Sequence, residues 1–522
     1  MGRETALDAG RVLLDEGTLS GDPETARARS ASADRFAARS ELGWGIALVG
    51  CVLVYRPLGF WAENAWDLAS PLHPFLLALI ALAAATLLLV IVSRMTGRVF
   101  TVAIVMGWGF FLLLEWKSVD EPAPFLAVAA ISLAILAGWL FLADVTAPRV
   151  VGLIAIVTVV APTFQVVLSH LREQAPFPIV AAQSAGDAVP SGKVEDALLL
   201  IVDGYPMETV AREWLGHDTR PLIAELNREG FVTPSISWSH NTFTALAIPS
   251  MLEGGQVVDM TSTVTWRNRR SVYEITRGSS VAVEAFQTAG FEYVAVESGW
   301  DGDECWAADR CIPSSFSDES FWTMMRPSAI SDVMSERWGS GPAQWSAHTV
   351  EALKGLDVFG DGAHQFVYAH LLLPHPPYVV DEQCDVLPEE QRSRPGRVGA
   401  QLACVDRMVM DILSVVPKDT AVVISGDHGS GTRGQVFMPP EQWDDLDVAE
   451  RLGAFLAYRL PDDCDSPERD TNVYAMRALL ECSLDMGTPF NPAGHVLGGE
   501  TLGQISLERL DRIDAMLADT TG

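Results

Sequence analysis

Four places in this 522-residue sequence carry side chains able to act together on one reacting group. Asp203 follows the apolar run LLLIV, and His375 follows HLLLP. Asp427 and His428 follow AVVISG, and Thr242 and Thr244 lie in SHNTFTALAIPSML, 239–252. Two carboxylates and an imidazole are ligand types for a divalent cation. A threonine hydroxyl is a weak nucleophile at neutral pH and needs a base or a metal to remove its proton. Each of these residues alone is more often a turn residue, a helix cap or part of a half-buried strand. Together they are more specific, because each ligand ends a buried run. Asp-His-Gly also joins two ligand types to a residue that lets the backbone turn tightly. If Thr244 opens a helix, its oxygen reaches the same cation as Asp203 and Asp427, and the first-turn amides help hold an anion. Such a constellation suits phosphoryl or sulfuryl transfer.

Positioning these residues takes a scaffold of strands ending on one edge. DALLLIVDGYP (196–206), FEYVAVES (291–298), HQFVYAHLLL (364–373) and TAVVISGDHG (420–429) read as buried strands running into loops. RPLIAELNREG (220–230), closed by Gly230, and the stretches 344–355 and 399–415 read as helices. Strands alternating with helices predict an α/β domain with a largely parallel sheet, whose ligands bind beyond the carboxyl ends of the strands.

The first third is different. Stretches 42–61, 73–93, 99–116, 125–143 and 150–170 are each apolar enough to be read as membrane spans, which take about 20 residues. The first is interrupted by Arg56, which lies near its end, where a long side chain reaches the interface. Arg27, Arg29, Arg35 and Arg39 precede the first span, Arg94 and Arg98 follow the second, and Arg149 follows the fourth. The other connections carry only Arg56 and Lys117 as basic residues. The positive-inside rule then puts the N-terminus in the cytoplasm and everything beyond about residue 171 outside. The expected organisation is a cytoplasmic tail (1–40), an α-helical membrane domain of five transmembrane helices (41–171), a Pro- and Gly-containing linker (172–194) and an extracytoplasmic α/β domain (195–522). Six of the seven cysteines fall in that last part: Cys305, Cys311, Cys384, Cys404, Cys464 and Cys482. Close spacing suits disulfides between neighbours in an oxidising compartment, although six cysteines allow many pairings. A formal charge of −31 argues against nucleic acid as a partner.

The segments LLLIVDGYP, NTFTALAIPSML, HLLLPHPPY and ISGDHG occur in the order found in the alkaline-phosphatase/sulfatase superfamily, and the chain resembles its membrane-anchored branch, the phosphoethanolamine transferases and lipoteichoic acid synthases. The resemblance implies an alkaline-phosphatase-like (sulfatase-like) fold for the α/β domain. The phosphoethanolamine transferase pattern Thr-x-Thr-Ala-x-x-x-Pro-x-Met is matched by Thr242, Thr244, Ala245, Pro249 and Met251. It makes Thr244 the nucleophile and a metal ligand, with Asp203, Asp427 and His428 completing the metal site. Asp203 stands where those two families use Glu. His375 resembles the histidine that contacts the substrate head group. No Cys-x-Pro-Ser-Arg or serine counterpart occurs, so ordinary sulfatase chemistry is not expected. Relatives with two metals carry further ligands after Asp-His-Gly; His495 is the only later histidine that could substitute. One divalent ion (zinc, manganese or magnesium) is expected, and a second is left open.

Three further residues are substrate-binding candidates. Arg433 could clamp a transferring phosphoryl group. Arg267, in WRNRR, could meet a phosphate or lipid head group, or sit in a solvated turn. Trp306, in WDGDECWAADRC, could cradle an ammonium group, or belong to a disulfide-tied surface loop. His170, His217 and His240 read as structural. The resemblance implies a transferase at the cytoplasmic membrane. It would move phosphoethanolamine or phosphoglycerol from a phospholipid donor to an envelope glycan or lipid acceptor through a phospho-threonine. The alternatives are a hydrolase of the same lineage acting on extracytoplasmic phosphodiesters or monoesters, and a non-catalytic envelope scaffold.

Overall fold

The computed structural model describes residues 188–259, 270–300, 305–313, 341–355, 364–392, 396–486, 494–498 and 502–521, together with 42–43, 45–54, 57–58, 72–96 and a few isolated positions. The expected tail 1–40, the expected spans 125–143 and 150–170, and nearly all of 99–116 lie outside the described residues. The expected span 73–93 falls within a 25-residue helix, α1 (Leu72–Thr96). Leu79, Ile80, Leu87, Leu88, Ile91 and Met95 are exposed along it, while Ala85 and Leu89 pack with Val49, Leu53 and Ala103. The side chains of α1 are described from Leu79 to Met95. Among the described residues no helix is long and apolar enough to cross a membrane.

The second part of the chain is built on a six-stranded sheet. Its strands are β1 (Asp196–Val202), β2 (Glu292–Val296), β3 (Arg310–Ile312), β4 (Gln365–Leu371), β5 (Ala421–Gly426) and β6 (Leu456–Arg459). They lie in the order β3-β2-β4-β1-β5-β6. All neighbours are parallel except β5 and β6. Every residue of β1 is buried, as a strand covered on both faces requires. Its side chains alternate between two cores. Leu199 and Ile201 join Tyr293, Phe366, Tyr368 and Val423, covered by Met476 and Leu479 of a helix at Asn472–Ser483. Leu198, Leu200 and Val202 join Val294, Val367, Ala369 and Ile424, covered by Leu402, Val405, Val409 and Ile412 of a helix at Arg397–Leu413. The last four recur at helical spacing and form one apolar stripe. Burying the five apolar side chains Leu198–Val202 contributes on the order of 10 kcal/mol, opposed by the entropy of ordering them.

Register sets the site. Val202 lies opposite both Leu371 and Gly426, so three central strands end side by side. The residues that follow them, Asp203, the 372–375 turn and Asp427, are thereby brought to one edge. A short buried helix, α2 (Thr244–Leu252), starts beside that edge, where Thr244 meets His428. The strands stop short of the ranges expected from sequence because those extra residues form the site loops. The short edge strands β3 and β6, the hairpin His495–Gly498 with Leu502–Ile505 and the helix α3 (Asp445–Leu452) have no strong sequence signal. β3 begins at Arg310 and Cys311, the last two residues of the stretch expected as a surface loop. The three disulfides join nearest neighbours: Cys305–Cys311, Cys384–Cys404 and Cys464–Cys482. Cys51 is free.

Candidate active site

The nucleophile candidate, Thr244, is the first residue of α2. Phe243 precedes it in an extended conformation, and the amides of Leu246 and Ala247 both donate to the Phe243 carbonyl. No side chain caps the N-terminus of α2, so first-turn amides remain available to an anion. Thr242 is fixed by its hydroxyl, which accepts from the Gly498 amide at 2.6 Å. That leaves Thr244 as the threonine facing the strand ends.

His428 Nδ1 lies 2.8 Å from the Gly429 carbonyl. A carbonyl can only accept, so Nδ1 carries the proton and Nε2 keeps its lone pair. Around Nε2 lie Thr244 Oγ1 at 3.2 Å, Asp427 Oδ2 at 3.3 Å, Asp203 Oδ1 at 3.7 Å and Arg451 Nη2 at 3.1 Å. Asp427 Oδ1 is occupied, accepting from the amides of Gly204 at 2.8 Å and His428 at 2.9 Å. Gly204 reaches that position with φ +71°, which a residue without Cβ adopts freely. Behind it, Ser239 donates to the Asp427 carbonyl, and Asn472 Nδ2 donates to Ser239 Oγ at 3.1 Å.

Among the described residues, Asp203 Oδ1 and Asp427 Oδ2 are buried oxygens without a hydrogen-bond partner. Buried polar atoms are almost always paired, and carboxylates above all. These two and His428 each offer a ligand atom within 4.8 Å of the others. Ligands about 2.1 Å from one tetrahedral ion stand about 3.4 Å apart. The separations of 3.3 and 3.7 Å from Nε2 fit that spacing. The residues therefore fit one divalent cation.

Electrostatics agree. Burial, with the charge of Asp203 beside it, pushes the Asp427 carboxyl up to about 6. Burial opposes ionisation of Asp203 too, but His375, His370 and His428 together hold it well below the usual carboxylate range. Two carboxylates sharing one buried space split in this way. Burial, then Arg451, drives His428 well below an ordinary imidazole, so it is neutral and a ready ligand.

Asp203, Thr244, Asp427 and His428 are thus in one place. His375 is half-buried at the rim, its ring 6.4 Å from that of His428. Its Nδ1 is 2.7 Å from the Pro376 carbonyl, which leaves Nε2 for other partners. Arg433 is elsewhere: it donates to Asp447 at 2.6 Å and Asp444 at 3.0 Å. Trp306 is 75 % exposed, and Arg267 lies outside the described residues. His495 is not in the metal-capable group. It stacks on His240 at 4.3 Å and donates to the Ser239 carbonyl at 2.9 Å.

Sequence reasoning missed three residues. His370, fully buried in β4, has Nε2 3.7 Å from Asp203 Oδ2. Glu450 accepts from Ser430, Thr432 and Gln435 and pins the loop after Asp-His-Gly. Arg451, next to it on α3, reaches His428. The one available signal was a pair of opposite charges inside an apolar helical face.

No protein-family model and no curated protein matches the chain. Solved structures do. The chain is similar to phosphoethanolamine transferase domains. The C-terminal periplasmic domain of EptC from Escherichia coli aligns at 10% identity and TM-score 0.39, covering 62% of this chain and 96% of that one. The integral membrane lipooligosaccharide phosphoethanolamine transferase A from Neisseria meningitidis aligns at 13% identity and TM-score 0.38, covering 80% and 77%. An alkaline phosphatase superfamily protein from Vibrio parahaemolyticus aligns at 13% identity and TM-score 0.38, covering 63% and 87%. Overlap at this level carries no argument about function, which rests on the atoms of the site.

Proposed function

We propose that the chain is a metal-dependent transferase of the cytoplasmic membrane, with its catalytic domain outside the cytoplasm. It moves a phospho-head group from a phospholipid to a hydroxyl of an envelope glycan or lipid by way of phospho-Thr244. The observation that carries this reading is Thr244 Oγ1, at the start of an uncapped buried helix and 3.2 Å from His428 Nε2, beside two carboxylate oxygens with no partner. Asp203, Asp427, His428 and Thr244 would hold the ion. A bound divalent cation supplies acidity to the threonine hydroxyl and offsets the charge of a phosphodiester.

The chain's own groups do the rest. The first-turn amides of α2 orient the phosphoryl oxygens. Thr244 Oγ, its proton released to solvent, forms a bond to phosphorus. The bond to the diacylglycerol oxygen breaks, and that oxygen leaves with the electron pair. His375, entering the step as an imidazolium with Nδ1–H held by the Pro376 carbonyl, gives that oxygen its Nε2 proton. In the second half the acceptor hydroxyl bonds to phosphorus and returns a proton to His375, and the bond to Oγ breaks. The three disulfides suit an oxidising compartment. The exposed apolar side chains of α1 suit a lipid surround.

Full-length protein in detergent, given mixed phospholipid vesicles and zinc, should gain mass on Thr244, and the increment identifies the head group. Thr244→Ala should lose head-group transfer by roughly a thousandfold or more. Transfer at the wild-type rate by that variant overturns the reading. Free head group with no modified acceptor makes water the acceptor and the protein a hydrolase.

A further inference from the structure

Arg451 has no part in the steps above, yet its guanidinium is buried at the centre of the site. Its Nε donates to the Thr242 carbonyl at 2.8 Å and its Nη1 to the Gly429 carbonyl at 3.1 Å. Both partners are neutral. Its third arm, Nη2, meets the lone pair of His428 Nε2 at 3.1 Å. The residue is 6 % exposed, and among the described residues no carboxylate ion-pairs with it. An arginine stays charged even when buried. Burial works against that charge, and the largest through-space compensation comes from Asp427 and Asp203 across the site, then from Glu450.

Counting charges gives its role. With Thr244 still a hydroxyl, and His375 at the rim left aside, Asp203 and Asp427 ionised contribute two negatives, His428 none and Arg451 one positive, leaving one negative. One divalent ion makes the site singly positive, which a singly charged phosphodiester neutralises. A second divalent ion would leave an excess of positive charge. The third arm adds a geometric point. Once His428 Nε2 gives its lone pair to a cation, Nη2 loses its acceptor. An oxygen of the phosphoryl group is the acceptor suited to replace it.

We propose that Arg451 is a fixed cation that supplies the positive charge a second metal would bring: it competes with the first ion for His428 and binds the phosphoryl anion once that ion is in. This rests on the metal-dependent reading above and adds the residue that completes its charge. It requires opposite effects on the two ligands, whereas a merely structural residue would weaken both.

The experiment is zinc titration by calorimetry on full-length protein in detergent, paired with turnover of bis(p-nitrophenyl) phosphate. Arg451→Met should bind zinc about tenfold more tightly, because a like charge and a competitor for the lone pair are gone. It should turn over the diester about a hundredfold more slowly, the usual cost of one lost anion donor. Arg451→Lys keeps the charge and should hold zinc affinity near wild type. Zinc affinity unchanged or weakened in Arg451→Met overturns the proposal. Should the methionine variant misfold, Arg451→Gln replaces it in the same titration, with the same expected and overturning results. If wild type binds zinc but turns over no diester, the mass gain on Thr244 from phospholipid still decides the transferase reading, and the zinc affinities decide the role of Arg451.

Discussion

Among the described residues, two clusters bring three residues of metal-ligand type within 4.8 Å: Asp203, Asp427 and His428 at the strand ends, and Glu297, Cys305 and Cys311 beside β2 and β3. Distance does not separate them, but chemistry does. Cys305 and Cys311 are joined in a disulfide, so neither offers a thiolate. That group is also partly exposed, and water can serve its polar atoms. The first group is fully buried, its imidazole tautomer is set by the Gly429 carbonyl, and two of its oxygens have no partner. A ligand set is recognised by what its atoms lack, more than by how close they stand.

The largest test of this difference is Asp427→Asn. Loss of one charged ligand should weaken zinc binding by about a hundredfold or more, since even partners outside the ligand set are worth 10–100-fold. Stability without metal should move the other way. Asp427 has a folded pKa of about 6, raised above its ordinary 3.8. Its contribution is therefore fully present below 3.8 and lost as pH rises through about 6. Asparagine carries no such loss, so at pH 8 the metal-free variant should melt above metal-free wild type, by scanning calorimetry with chelator present. A variant that melts lower and binds zinc normally would erase the contrast between the clusters.

A smaller effect is expected from replacing Cys305 and Cys311 together by Ser. Opening a short loop costs about 2 kcal/mol on the chain-entropy account, read as a lower denaturation midpoint, with zinc affinity unchanged. The smallest is Glu297→Gln, expected to leave zinc affinity within error of wild type by the same titration. Loss of a bound ion in either variant would make the second cluster a site after all.

Much of the scaffold was legible because buried parallel strands read as unbroken apolar runs: β1, β4 and β5 could be placed from LLLIV, FVYAHLL and AVVIS. Their ends, with Asp203, His375 and Asp-His-Gly, followed from the rule that α/β sheets bind ligands there. Thr244 needed the resemblance, since composition does not separate it from Thr242. The structure gives the physical difference, in that the Thr242 hydroxyl is committed to the Gly498 amide. Arg433 and Arg451 show where sequence runs out. Arg433 follows the motif closely, yet it faces Asp447 and Asp444. Arg451 is far from the motif in sequence and reaches His428 only because α3 folds back over the loop. Nothing local to 445–452 reports that fold-back. The short strands β3 and β6 were equally silent, being too brief to carry a period.

That fold-back also constrains how such a site changes over generations. A methyl group at Gly429 would collide with the Glu450 carbonyl and lie 2.5 Å from that of Gly453. Both are backbone atoms of the turn carrying Arg451, so nothing flexible can yield. Any heavier residue would lift the helix end and take the guanidinium and the Glu450 clamp with it. The specificity of this chain can drift at its rim, around His375. A lineage using this site has no neutral path through position 429, which ties the Asp-His-Gly loop and the helix above it into a single heritable unit.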